Sequence, residues 1–276
     1  MDLLIQALVM GVVQGLTEFL PVSSSGHLII VPSLLGWDDA FITSLAFSVM
    51  LHLGTLVALL LYFRADWLRL VPAGLAAARD RSFAGDADRR LAWLLAMATI
   101  PAIVAGLLLN DAIETVFRQI GLVALMLVAG GAILWLADRH GPRDRTIGSL
   151  TFPIAIGIGA AQAFALVPGV SRSGISISAG LFAGLDRESA ARFSFLMATP
   201  ITALAGAYET VKLVTGDGTG ASVDLLVVGM TAALVSGLVA IHGLLRFLRN
   251  HPTHVFVAYR LVLAAVVVVA WLGVGR

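Results

Sequence analysis

The sequence predicts an all-α integral membrane protein, one domain made of two inverted copies of the same unit. Three observations predict it. Hydrophobic residues make up 59% of the chain and charged residues only 13%, where a soluble domain carries about 25% charged residues. Mean hydropathy is +0.95. The apolar runs are too long and too many for one soluble core, and they suit helices better than barrel strands. Finally, the chain repeats itself. The stretch GVVQGLTEFLPVSSSGHLIIVPSLLG at 11–36 returns, at an offset of 148, as GAAQAFALVPGVSRSGISISAGLFAG at 159–184. Gln14 falls on Gln162, Ser23 on Ser171, Ser25 on Ser173, Gly26 on Gly174, Gly36 on Gly184 and Asp38 on Asp186.

The elements follow in order. Residues 3–20 are apolar but end in Thr17, Glu18 and Pro21. Residues 26–35 form a run of about ten, too short to cross a hydrocarbon core of about 30 Å. Together they read as a re-entrant helical hairpin, whose irregular backbone at depth is tolerated only beside protein or a water-filled cavity. Asp38 or Asp39 is placed to cap the next helix. Residues 41–63 are a full span, and 64–90, with six Arg and four Asp, are a polar loop. Spans follow at 91–109 and 119–137, then a basic link at 138–148 with Arg139, Arg143 and Arg145. The second re-entrant pair covers 149–184. Spans near 189–212, 223–248 and 254–274 complete the chain, with TGDGTGA at 215–221 as a flexible turn.

Each half, about 1–137 and 149–276, is thus one re-entrant hairpin plus three transmembrane helices. Three crossings reverse direction, so the second half sits upside down relative to the first. In that arrangement the site forms at mid-membrane where broken helices of the two halves meet. Neither half has a complete site, so residues 1–276 form a single membrane domain. The arginines test the topology. Arg64, Arg69, Arg79, Arg81, Arg89, Arg90, Arg139, Arg143, Arg145, Arg187, Arg192, Arg246 and Arg249 all fall on one face, which the positive-inside rule makes cytoplasmic. The other face has little beyond Arg118, Lys212 and Arg276, in the company of Asp38, Asp39, Asp111, Glu114 and Asp217, and both termini lie there. The N-terminus has an Asp and no basic region, so it is not expected to be a cleavable signal peptide. Small residues at spacing four, Gly11/Gly15 and Gly159/Ala163, suit close helix packing and also fit two hairpins meeting back to back. No cysteine is present, which removes disulfides, thiolate catalysis and Cys-ligated zinc.

Almost every polar group able to do chemistry sits at one of the two breaks. Gln14 and Glu18 share one helix face. A carboxylate at membrane depth is costly and points to function. It can bind a divalent cation, act as a base, cap a helix or pair with Arg172. A Ser run such as Ser23, Ser24 and Ser25 often only caps a helix, and a lone histidine is often a bonded core residue. Glu18, Ser24 and His27 together, however, supply the carboxylate, hydroxyl and imidazole that nucleophilic or acid–base catalysis uses. The second break adds Arg172 between Ser171 and Ser173. Guanidinium matches phosphate bidentately, and two helix N-termini starting near Ser25 and Ser173 favour an anion. The inferred ligand is phosphate or diphosphate carried by a molecule that lives in the bilayer. His52 and His242 read as core or cavity residues, and Glu209 and Lys212 as a helix-end pair.

QGLTEFLPVSSSGH and PGVSRSGIS resemble the two signature motifs of the bacterial undecaprenyl-diphosphate phosphatases of the bacitracin-resistance type, and the resemblance spans essentially the whole chain. Ser176 stands where that pattern usually has Thr, and Gln14 where many members have Glu, which leaves one carboxylate rather than two for a metal. The resemblance implies hydrolysis of undecaprenyl diphosphate to undecaprenyl phosphate and inorganic phosphate, recycling the lipid carrier of cell-wall synthesis and conferring bacitracin resistance. It implies an inverted-repeat fold in the bacterial inner membrane, a site open to the periplasm, and help from Mg²⁺ or Ca²⁺ held by Glu18 with Gln14. It makes Glu18, Ser24, His27 and Arg172 the catalytic candidates. Gln14, Ser23, Ser25, Ser171, Arg172 and Ser173 are the substrate-binding ones. The attacking group is Ser24 or water. The expected partners are undecaprenyl diphosphate and membrane lipid, with no nucleic acid; a homodimer is left open. The alternative is a transporter or flippase of an anionic prenyl-phosphate lipid or solute, since broken helices in inverted repeats also serve transport.

Overall fold

The computed structural model describes residues 2–83, 85–109, 119–215 and 222–274. Among them the chain forms eleven α-helices and no strand. Helix α1 (Leu3–Phe19) starts at Asp2, whose carboxylate accepts from Leu4 N at 3.0 Å, and stops at extended Leu20 before Pro21. Helix α2 (Ser24–Leu35) ends at Gly36, where a φ of 66° is open to glycine at no steric cost. The rest are α3 (Leu45–Tyr62), α4 (Arg64–Asp80), α5 (Ala87–Leu108), α6 (Ile120–His140), α7 (Phe152–Ala163), α8 (Arg172–Phe182), α9 (Arg187–Thr215), α10 (Val223–Leu248) and α11 (His254–Val274). A 3₁₀ turn, Phe164–Leu166, extends α7.

Six of these helices, α3, α5, α6, α9, α10 and α11, are long and apolar enough to cross a membrane, and they fall on the six expected spans. The four short ones, α1, α2, α7 and α8, form the two pairs around the breaks. The protein is therefore an all-helical, multi-pass membrane protein. Its outer surface agrees: Val262, Val269 and Trp271 of α11 stay more than half exposed, as lipid-facing groups do.

Three expectations need correction. Residues 64–80 are a helix, not loop. The high Arg and Asp count hid a stretch rich in Ala, Leu and Arg, all good helix formers. Asp66 in its first turn and Arg79 in its last complement the helix dipole. Leu70 and Ala77 are buried, and Trp93 of α5 donates to Gly74 O at 3.1 Å. The cap of α3 is Ser44, which accepts from Phe47 N at 3.0 Å, while Asp39 closes the preceding turn through Phe41 N and Ile42 N. The small residues do not join the hairpins back to back. Gly11 and Gly15 lie against Gly229 and Ala233 of α10, and Gly159 against Ala98 of α5. Most of the turn expected at 215–221, the charges at Asp111, Glu114, Arg118, Asp217 and Arg276, and the side chains of Glu209 and Lys212 lie outside the described residues.

The most extensive packing is of α1 on α10, α3 on α10 and on α9, α7 on α5, and α6 on α11. Ion pairs draw the basic segments to one end. Asp66 of α4 meets Arg192 at 2.6 Å, Asp138 of α6 meets Arg187 at 2.6 Å, and Glu188 meets Arg249 at 2.7 Å. The backbone of Arg145 pairs with Gly184 and Asp186. The segments 64–90, 138–148, 185–192 and 246–253 thus share one face, as the arginine distribution required.

Candidate active site

The two breaks are built alike. Ser23 and Ser171 are the N-caps of α2 and α8, with φ of 76° and 75°, uncommon for residues other than glycine. Each hydroxyl accepts from the amide three residues on, Gly26 N at 3.3 Å and Gly174 N at 3.1 Å. The breaks are also stitched to each other. Gly169 N donates to Ser23 Oγ at 3.0 Å, and Ser173 Oγ donates to Leu20 O at 3.1 Å. Arg260 of α11, completely buried, binds both breaks at once. It donates to Pro21 O at 3.2 Å and to Gly169 O and Val170 O at 2.7 and 3.0 Å. It also holds the Met126 and Leu127 carbonyls of α6, at 3.1 and 2.9 Å. Unpaired buried backbone is expensive, and here one guanidinium satisfies five carbonyls.

In front of the stitched breaks lies a cavity of about 220 Å³. Its polar lining is Glu18, Ser24, Ser25, His52, Gln162, Ser171, Arg172 and Thr202; Val49, Ala102, Leu166 and Ile201 are among its apolar walls. One Glu18 oxygen pairs with Arg172. The other accepts from Ser24 Oγ at 2.5 Å and Gln14 Nε2 at 3.0 Å, and faces His52 Nε2 at 3.3 Å. Arg172 is anchored from behind, donating to Thr202 Oγ1 at 2.8 Å and Ala198 O at 3.2 Å. His52 Nδ1 lies 2.7 Å from Ser48 O, a contact that requires its proton on Nδ1 and turns Nε2 to the carboxylate. The arrangement joins a hydroxyl to a carboxylate able to take its proton, beside a fixed cation facing the same space.

The structure therefore brings together Glu18, Ser24, Ser25, Ser171 and Arg172, and sets Gln14 behind Glu18. The pairing of Glu18 with Arg172, foreseen as an alternative to a catalytic role, lies inside the cavity and is compatible with one. Ser23 and Ser173 hold the breaks in shape instead of lining the cavity. His27 is not beside Glu18 or Ser24. Its Nδ1 is 2.7 Å from Ser23 O and its Nε2 2.8 Å from Tyr259 Oη, with the two rings stacked. The imidazole at the carboxylate belongs to His52, whose place in an apolar span reads as a core or cavity position. Gln162 and Arg260 also went unassigned. A single Arg inside the apolar run 254–274 was the available signal, because an ionisable group there asks for a reason.

The donor set can hold a divalent cation only in part. Among the described residues no cluster of three His, Cys, Asp or Glu side chains forms a metal site. Glu18 is the lone carboxylate, and its oxygens are already engaged. Gln14 Oε1, however, is buried without a partner beside it. One carboxylate and one amide oxygen are a partial set for a Mg²⁺-type ion, which keeps waters and takes further ligands from substrate phosphates. They do not make an all-protein Ca²⁺ cage.

The chain is an all-helical multi-pass membrane protein in which a carboxylate, a hydroxyl and an anchored guanidinium share one cavity, a set suited to an anionic group. The chain belongs to the family described as Bacitracin resistance protein BacA, whose model matches residues 7–266. It is 48% identical to a protein of Gemmatimonas aurantiaca named undecaprenyl-diphosphatase, over 95% of this chain and 96% of that one. Proteins of the same name from Desulforudis audaxviator and Idiomarina loihiensis are each 45% identical, over 96% of this chain and 96% and 98% of theirs.

Proposed function

We infer that the chain is an undecaprenyl-diphosphatase. It hydrolyses undecaprenyl diphosphate to undecaprenyl phosphate and inorganic phosphate, returning the carrier lipid to cell-wall synthesis and so opposing bacitracin. The observation that carries this reading is the meeting of Glu18, Ser24 and Arg172 in one cavity of a chain similar over its full length to proteins of that name.

In the proposed mechanism the diphosphate enters with its terminal phosphate against Arg172 and the first turns of α2 and α8, whose free N–H groups favour an anion. Ser24 Oγ attacks the terminal phosphorus while Glu18 takes its proton over the 2.5 Å contact. The anhydride P–O bond breaks and undecaprenyl phosphate leaves. Arg172, held by Thr202 and Ala198, offsets the charge that builds on the phosphoryl oxygens. Water then attacks the phosphoserine, releasing inorganic phosphate and returning the proton to Ser24. His52, touching Glu18 Oε2, takes the proton-relay role expected of His27. Glu18, with Gln14 behind it, would hold a divalent cation such as Mg²⁺, which when bound would neutralise phosphate charge.

The same reading makes the two halves inverted repeats with re-entrant hairpins. The matched caps at Ser23 and Ser171 and the paired helix contacts support it. It puts the arginine-rich face in the cytoplasm of a bacterial inner membrane and opens the cavity to the periplasm. The test is phosphate release from undecaprenyl diphosphate by the purified protein in detergent.

A further inference from the structure

Gln162, next to last in α7, lines the cavity wall, only 3% exposed, and neither its Nε2 nor its Oε1 has a hydrogen-bond partner. Buried polar atoms are nearly always paired, because an unmade bond forfeits the hydration that burial removed. An orphan amide at both ends therefore needs an explanation. The neighbours do not supply one: Arg172 is committed to Glu18, Thr202 and Ala198, and Ser24 to Glu18.

The repeat explains the gap. Gln162 is the counterpart of Gln14, whose Nε2 donates to Glu18 four residues on, at 3.0 Å. Four residues beyond Gln162 stands Leu166, which also lines the cavity. The second copy has the amide donor but no anion at the matching place. An anion brought into the cavity fills that place.

We propose that Gln162 is a substrate-binding residue whose Nε2 donates to a phosphate oxygen of the bound diphosphate, opposite Arg172. This rests on the diphosphatase reading. The chemistry recognised is that of a diphosphate, free or on a prenyl chain. Oε1 is left for a water carried in with the head group.

The test uses the full-length protein in detergent, with Gln162→Met, close in shape but without a strong donor, and Gln162→Glu, close in shape but anionic. For each, KM and kcat are measured with undecaprenyl diphosphate, and thermal stabilisation with inorganic diphosphate. The Met variant is expected to keep or raise the ligand-free Tm while KM rises about tenfold and the shift by inorganic diphosphate shrinks. The Glu variant should raise KM further, since like charges repel. A Met variant with wild-type KM and wild-type thermal shift overturns the proposal, and so does a Glu variant that folds and binds as tightly as wild type. Weakened hydrolysis with an unchanged shift by inorganic diphosphate places the contact on the prenyl-bound form. A wild type that releases no phosphate, yet is stabilised by inorganic diphosphate through Gln162, removes the diphosphatase reading and keeps the binding residue.

Discussion

Arg172 and Glu18, 154 positions apart, meet as an ion pair at the wall of the central cavity. Neither break has both charges, so the pair exists only when the halves are joined. Each partner relieves the cost of burying the other. Arg172 remains part of the cavity lining, where an incoming phosphate can share it.

Replacing Arg172 by Ala should lower kcat/KM by about 10²–10³ or more, the usual effect of losing a donor aimed at developing charge. Arg172→Lys keeps the charge but loses the bidentate fork, so it should restore activity only partly. Steady-state kinetics on protein verified as folded by gel filtration checks both.

Ser24→Ala should reduce turnover by about 10²–10⁴ and abolish any phosphoprotein trapped by rapid acid quench. Wild-type turnover in this variant would remove Ser24 from the chemistry and leave the attack to water.

The two histidines should separate. His52→Ala is expected to cut kcat by about 10² with little change in Tm. His27→Ala should act mainly on stability, by about 1–3 kcal/mol, because it leaves the Ser23 carbonyl and Tyr259 hydroxyl without their partner. Thermal unfolding in detergent, beside kcat, distinguishes the roles.

Arg260→Met strips five carbonyls of their donor. Hydrogen bonds to charged groups contribute about 1.5–3 kcal/mol each, so this variant should be recovered poorly or with a Tm lowered by more than that of any cavity variant. Monodisperse yield and Tm measure it.

Chelation should suppress turnover, and added Mg²⁺ should restore it, while the Tm of the substrate-free protein stays nearly constant. The protein offers one carboxylate and one free amide oxygen, too few ligands for tight binding before the diphosphate arrives. A large Tm loss on EDTA treatment would point to a resident ion instead.

Much of this was legible in the residues. The apolar runs located all six spans, because length and hydropathy dominate helix formation in lipid. The offset of 148 exposed the paired breaks and, with them, Glu18, Ser24 and Arg172. Other features were hidden for physical reasons. Helix α4 was masked by its charges, since Arg has nearly the helix propensity of Leu and its polarity does not break the run. His27 is near Ser24 in sequence, yet the turn at Ser23 sends its ring to Tyr259, 232 positions on. His52 and Arg260 reach the breaks only by tertiary packing, and no local spacing announces that.

The most direct measurement is phosphate release from undecaprenyl diphosphate by the purified protein, with Arg172→Ala alongside. The account predicts Mg²⁺-supported release by the wild type and almost none by the variant. No release by folded wild type with Mg²⁺ or Ca²⁺ present would contradict it, and would favour transport of an anionic lipid through the same cavity.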